Sequence, residues 1–171
     1  MAELTPKERL QPSLLDRLTD DEPYKQEESR EQRVLSWQRL REVVRRDLAW
    51  LFNTTNLEAA QDLSDYPHVA QSELNYGLPD LAGRTTASVD TEKLERLLRQ
   101  AIRQFEPRIL PANLRVRLVL DRTKMSHNAM LFEIEGDLWA QPMPYQLYLR
   151  TEVDLELGEA RVTESTASVA R

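Results

Sequence analysis

The sequence predicts an α+β fold in which helices pack on one face of a small, mainly antiparallel three-stranded sheet. Three observations carry this expectation. Before residue 106, two long segments repeat apolar residues at steps of three and four, as a helix with one buried face requires. After Pro111 the period falls to two, the signature of strands with one wet face. Between them Pro107 cannot continue a helix and disfavours helical geometry at Glu106. Helices first and strands later put the helices on one side of the sheet.

The elements follow in chain order. Residues 1–29 read as a flexible N-terminal segment carrying a short amphipathic helix at 9–18, where Leu14, Leu15 and Leu18 share a face behind Pro12 and Ser13. A helix of about two turns is marginal without a surface to lie on. The acidic, polar stretch Thr19–Ser29 reads as a linker. Residues 30–163 form a single α+β domain. It opens on a long helix from Arg30 to Phe52, with Trp37, Leu40, Val44, Leu48 and Leu51 on one stripe and Val34 extending it. Asn53 to Asn56 ends that helix. His68–Tyr76 is expected to be a short helix with Val69 and Leu74 inward, followed by a turn at Gly77 and Pro79. Ser88 or Asp90 caps the next helix, Thr91–Phe105, which buries Leu94, Leu97, Leu98, Ala101, Ile102 and Phe105.

Three strands then alternate apolar and charged residues. The first carries Leu114, Val116, Leu118 and Leu120, the second Phe132, Ile134 and Leu138. The third carries Leu147, Leu149, Val153, Leu155 and Leu157. Short connections favour an antiparallel meander. Residues 164–171, rich in Ser, Thr and Ala, are expected to be a disordered tail.

Bulk properties narrow the function. The chain of 171 residues carries 29 acids against 23 bases, a net charge of −6. That balance argues against a general nucleic-acid binder and against adhesion to anionic lipid. Cysteine is absent, which removes disulfides, thiolate metal sites and a cysteine nucleophile. Met1–Leu10 has no apolar core of a secretory signal, and no apolar run approaches the ~20 residues of a membrane span. A soluble cytoplasmic protein with no membrane insertion is expected. The four glycines form no phosphate-cradling loop.

The residues suggest little chemistry. His68 and His127 are too few and too far apart for a metal cluster. Glu106 stands beside Arg108, the wrong neighbour for a raised carboxyl pKa, and Glu133 and Glu135 share a solvated strand face. No serine sits in a nucleophile elbow. No catalytic residue, metal, cofactor or small-molecule substrate is therefore expected. The arginines of the long helix interleave with Glu31, Glu42 and Asp47 and read as a solvated face with local ion pairs. The corner Glu106-Pro107-Arg108 admits two readings. It presents opposite charges outward for a partner, or Arg108 caps the last carbonyls of the helix while Glu106 pairs with Arg103 or Arg99.

Four segments occur in a telling order: Ser13-Leu14-Leu15-Asp16-Arg17-Leu18, then Arg46-Asp47-Leu48-Ala49-Trp50-Leu51-Phe52-Asn53-Thr54, then Leu74-Asn75-Tyr76-Gly77-Leu78-Pro79-Asp80, then Phe105-Glu106-Pro107-Arg108. Over roughly residues 9–160 the chain resembles the TssE family, the baseplate subunits of bacterial type VI secretion systems. That family is similar to the lysozyme-like wedge proteins of contractile phage-tail baseplates. The resemblance implies a non-enzymatic structural subunit of a contractile injection machine, assembled in the cytoplasm at a baseplate docked on the inner membrane. The implied partners are the wedge subunits TssF and TssG, with TssK as a further candidate, and the TssB/TssC sheath. Glu106, Pro107 and Arg108 inherit an assembly role, and Leu14, Leu15 and Leu18 are expected to dock on other wedge subunits. The edge near Leu147–Leu157 is the candidate for strand addition. The rival from another class is a peptidoglycan-cleaving, lysozyme-like enzyme. It would clear a cell-wall suspension and lose that activity when Glu106 or Glu133 is replaced.

Overall fold

The computed structural model describes residues 13–19, 24, 36–85, 89–119, 129–140 and 143–165. Helix α1 (Leu14–Leu18) is short and begins at Ser13, whose Oγ accepts from Asp16 N at 3.3 Å. Helix α2 (Trp37–Phe52) begins later than the sequence suggested. Ser36 is extended and its Oγ accepts from Arg39 N at 3.2 Å, so the strong N-cap residue sets the start. Arg30 and Val34 lie outside the described residues. Asn53 ends α2, as expected, and α2 buries Leu40, Val43, Val44, Leu48, Leu51 and Phe52.

The segment between the long helices is less regular than a single helix. Pro67–Ala70 forms α3, with Pro67 in the first turn where its missing N–H costs nothing. A 3-10 turn follows at Glu73–Asn75. Leu74, expected inward, is 71% exposed. The buried residue is Asn75, whose side chain donates to Ala70 O at 3.0 Å and accepts from Glu58 N at 2.9 Å. A polar side chain that answers two loop backbone groups outweighs the burial of one leucine here. Helix α4 (Thr91–Phe105) has the expected bounds. Asp90 caps it by accepting from Lys93 N at 3.0 Å, and it buries Leu94, Leu98, Ala101 and Ile102.

The sheet has four antiparallel strands in the order β1-β2-β3-β4, not three. They are β1 (Ile109–Val119), β2 (Ala129–Leu138), β3 (Tyr145–Asp154) and β4 (Glu159–Glu164). The apolar parity of β3 runs on through Leu155 and Leu157 and hides a turn. Asp154 Oδ1 accepts from Glu156 N and Leu157 N at 2.8 and 3.1 Å, and Gly158 has φ of 73°. This is Asx-turn chemistry with a left-handed glycine. Leu157 therefore sits at a hairpin tip, 66% exposed. The first strand starts at Ile109, before Pro111, and its register with β2 shifts between Leu110 and Arg115. Proline, which cannot donate to a ladder, falls inside that irregularity. Glu164 belongs to β4, and residues 166–171 lie outside the described residues.

One face of the sheet is apolar and covered by the helices, α4 beside β1 and α2 over β4. Phe132, Ile134, Leu147, Leu149, Val116 and Val162 meet Leu48, Leu51, Leu98 and Ile102 there. The other face sets opposite charges across the ladder, Arg115 against Glu135, Glu133 between Arg117 and Arg150, and Glu152 against Arg161. Each such pair contributes a few tenths of a kcal/mol, about 0.2–1. The outer edge of β4 is fastened to the end of α2. Asn53 accepts from Ala160 N at 2.8 Å and donates to Ala160 O at 2.8 Å, as a neighbouring strand would. Because β3 pairs with β2 on one side and, from Leu149 to Asp154, with β4 on the other, most of the edge expected near Leu147–Leu157 is interior, and the outer strands are β1 and β4.

Candidate docking surface

The α4–β1 corner does not display its charges outward. Glu106 is 3% exposed and Arg108 is half-buried, while Pro107 faces solvent. Because α4 ends at Phe105 and Ile109 opens β1, only three residues turn the chain. Ile109 N donates to Glu106 O at 3.1 Å, and Trp139 N donates to Arg108 O at 2.7 Å, which fixes the corner to the sheet. Proline at 107 enforces the turn.

The corner side chains form a clasp. Arg108 Nε donates to Glu106 Oε1 at 2.6 Å and Nη2 to Glu106 Oε2 at 2.5 Å. The same Nη2 reaches Asp47 Oδ2, on α2, at 2.5 Å. Burial opposes the charge of Arg108, but the hydrogen bonds and charge of Glu106, then of Asp47, outweigh it and push its pKa above the ordinary arginine value. Arg108 Nη1 is buried and has no hydrogen-bond partner among the described residues. Neither sequence reading holds. Arg108 caps no carbonyl of α4, and Arg99 and Arg103 instead donate to Val116 O and Pro111 O of β1 at 3.2 and 3.3 Å.

The charges continue as a chain. Asp47 also meets Arg46 at 2.8 Å, and Arg46 meets Asp16 of α1 at 2.7 Å. The sequence thus alternates Glu106, Arg108, Asp47, Arg46 and Asp16 in space, joining three elements that are far apart along the chain. Local pairs of the kind expected on the long helix are present in Arg39–Glu42 and Arg46–Asp47, but other arginine contacts are long-range. Arg39–Glu42 at 3.4 Å is local, whereas Arg41 reaches Glu164 at 3.7 Å. No residue spacing signals such long-range pairs.

Beside the chain lies a cleft of about 240 Å³ walled by Leu15, Trp50, Leu51, Tyr76 and Phe105. Tyr76 packs edge-on against Phe105 at 5.2 Å, and the Arg46 guanidinium lies 4.8 Å from the Trp50 ring centre. Around this cleft the surface is apolar. Leu14 is 70% exposed, Leu18 74%, Leu15 47% and Trp50 49%. The sequence reading named the leucines but missed Trp50. Its position off the buried stripe of α2 was the available signal, since a large aromatic there must meet solvent or a partner.

Helix α1 leaves Leu14 and Leu18 largely exposed and sets only Leu15 against the cleft, so the ion pair of Asp16 with Arg46 is a main tie to the domain. Burial raises the carboxyl pKa of Asp16, but hydrogen bonds from Arg46 and Ser13, with the charge of Arg46, bring it below the ordinary value. A lowered folded pKa contributes stability above the free-chain value of about 3.9 and loses it as pH falls through the folded value. The Leu15–Thr19 amide resonances are expected to move toward random-coil positions as the pH falls below about 4. In Arg46→Met they are expected there at neutral pH. Unshifted resonances in that variant would mean that another contact holds α1.

The arrangement is suited to recognition rather than to acid catalysis. Asp16, Asp47 and Glu106 are each held by an arginine, and Glu133 pairs with Arg150 at 3.1 Å on the wet face. A general acid needs the opposite environment. Among the described residues, no three His, Asp or Glu side chains gather as metal ligands, and no helix is long and apolar enough to cross a membrane.

Comparison with known proteins gives one family. The model of baseplate wedge protein gp25 matches residues 38–143, more than half of the chain. Neither the curated proteins nor the solved structures gave a match.

Proposed function

Because the chain belongs to the family of baseplate wedge protein gp25, whose members are structural parts of phage-tail-like baseplates, we propose that it is the TssE-type subunit of a type VI secretion baseplate. It joins the wedge subunits TssF and TssG, with TssK nearby, to the first layer of the TssB/TssC sheath, and it acts without catalysis in the cytoplasm. The observation that carries this reading is the exposure of large apolar side chains, Leu14 and Leu18 on α1 and Trp50 on α2, with α1 tied to α2 by the ion pair of Asp16 and Arg46. A hydrophobic patch with a charged rim is the anatomy of a protein interface.

Within this reading the corner acts mainly by shape. Glu106 and Arg108 fix α4 and β1 to α2, and Arg46 carries the same chain of charges to α1. Pro107 and the exposed quarter of the Arg108 side chain join the rim. The free edge of β4 beyond Ala160 is the place where a sheath strand adds, since main-chain groups there face away from β3.

The test separates docking from folding. Leu14→Ser with Leu18→Ser removes apolar surface that the monomer does not bury, so its unfolding midpoint is expected to match the wild type within about 0.5 kcal/mol. Its co-purification with TssF and TssG is expected to fall at least tenfold, as loss of about 1.4 kcal/mol or more at an apolar anchor implies. Undiminished co-purification would remove α1 from the interface.

A further inference from the structure

The helices treat the two outer strands of the sheet differently. Strand β1 pairs with β2 on one side, and among the described residues no strand pairs with its other side. It has 11 residues, against 6 in β4. An open edge of that length is a template on which a further strand can add. In an antiparallel ladder, alternate residues turn both main-chain groups to the same neighbour. Val116 O and Leu118 N are bonded on the outer side, so Val116 and Leu118 face away from β2, and Arg115 and Arg117 face toward it.

Helix α4 meets that edge with side chains. Glu95, Arg99 and Arg103 recur every four residues and so share one stripe of the helix. Leu118 N donates to Glu95 Oε1 at 2.7 Å, and Arg99 Nη2 donates to Val116 O at 3.2 Å. Arg103 Nη2 donates to Pro111 O at 3.3 Å, further back along the strand. A parallel strand in that place would use one residue to donate to Val116 O and to accept from Leu118 N. Arg99 and Glu95 take those two positions, a cation on the carbonyl and a carboxylate on the N–H. Hydrogen bonds with one charged member are stronger than the neutral ones they replace. Strand β4 is met by a single amide instead, that of Asn53 at Ala160. Val162 and Glu164 share the outward parity of Ala160, and among the described residues no strand lies beside them.

We propose that Glu95, Arg99 and Arg103 are a built-in cover of the β1 edge, and that the strand they exclude is β4 of a second copy of this chain. A subunit with both edges open carries two surfaces that fit each other, β1 of one copy and β4 of the next. Such a contact is head-to-tail, and it either closes into a ring or runs on as a filament. With β1 covered, a sheet open at β4 cannot add to its own kind. The excluded strand is β4 and not another β1, because β1 paired with itself about Val116 would set Arg115 of each copy against Arg117 of the other. Like charges directly opposite are unfavourable. The cover thus gives the sheet one edge for strand addition and denies it the second. The proposal does not depend on the assembly role, and its test uses the isolated chain alone.

The experiment joins amide hydrogen exchange to sedimentation on the full chain, as wild type, Glu95→Ala, Glu95→Gln and Glu95→Ala/Arg99→Ala. At about 10 µM the Leu118 amide is expected to exchange at least ~10-fold faster, relative to Arg117, in both alanine variants. Glu95→Gln keeps an oxygen for Leu118 N and is expected to match the wild type. Arg117 faces β2, so the ratio of the two rates cancels a general loss of stability. Between about 10 µM and about 1 mM the double variant is expected to sediment as growing species, while the wild type stays a single one. Adding Glu164→Pro, which takes a donor from the outer edge of β4, is expected to return the double variant to a single species. An unchanged Leu118 to Arg117 ratio in the alanine variants would overturn the cover. So would a double variant that stays a single species at the highest concentration. Growth that persists with Glu164→Pro would overturn the assignment to β4, since β1 would then be pairing with itself.

Discussion

Arg108→Ala is expected to lower the unfolding free energy by about 3 kcal/mol, near the low end for breaking a buried ion pair. The reason is what the substitution leaves behind. Glu106 has a side chain only 4% exposed and both of its oxygens on Arg108. Without the guanidinium its carboxylate is buried and uncompensated. Asp47 fares better, because Arg46 still meets it at 2.8 Å. The side chain of Arg108 is 26% exposed, so water screens part of the loss and keeps the figure below the largest known cases. Removing the orphaned charge should repair most of the damage. Arg108→Met combined with Glu106→Gln keeps a side-chain oxygen for Arg108 N, which Glu106 Oε1 accepts at 3.2 Å in the wild type. The pair of substitutions is expected to cost less than Arg108→Ala alone, with a coupling of about 2 kcal/mol by a double-mutant cycle in urea. Additive effects would mean that the two side chains do not stabilise each other.

Gly77→Ala is expected to cost as much, about 3 kcal/mol, for a different reason. Gly77 has φ of 121°, a region that L residues seldom enter. A Cβ there would lie 2.2 Å from Thr54 O and 2.8 Å from Thr54 C, which are main-chain atoms that cannot rotate away. The close approach exists because Leu78 N donates to Thr54 O at 2.8 Å and Asn56 N donates to Leu78 O at 2.9 Å, pinning the loop to the end of α2. Forcing these apart also moves Tyr76, one wall of the cleft, so wedge binding is expected to fall with stability. Gly83→Ala is the control. Gly83 has φ of 72° with nothing within 4 Å, and its cost is expected to stay near 1–2 kcal/mol, roughly that of the left-handed conformation alone. Equal midpoints for the two alanine variants would show that the contact with Thr54 is not tight.

The sequence was most legible where periodicity and a breaker agree. Asp90, the apolar stripe of α4 and Pro107 each fix one feature of Thr91–Phe105, and the helix has those bounds. Legibility failed where one pattern ran through a turn. Leu155 and Leu157 keep the parity of β3, so the turn made by Asp154 and Gly158 was read as strand and β4 was lost. At the corner the residues were identified but their direction was not. Whether Arg108 faces water or α2 depends on Asp47, 61 positions away, and nothing local encodes that pairing. The same holds for Asn53, whose amide closes the edge of β4 at Ala160. Helix α1 was visible as three leucines. That an ion pair ties it to α2 while Leu14 and Leu18 face out came only with Arg46.

The central claim is that the corner serves assembly by holding the α1, α2 and α4 surface in shape, not as a handle gripped directly by a partner. The most direct measurement is co-purification of Arg108→Met/Glu106→Gln with TssF and TssG, alongside its urea midpoint. The account predicts that this variant, with its buried charges removed together, regains stability over Arg108→Ala and binds the wedge subunits within about tenfold of wild type, as loss of a rim charge allows. A variant that folds as stably as the wild type yet brings down no wedge subunit would contradict it.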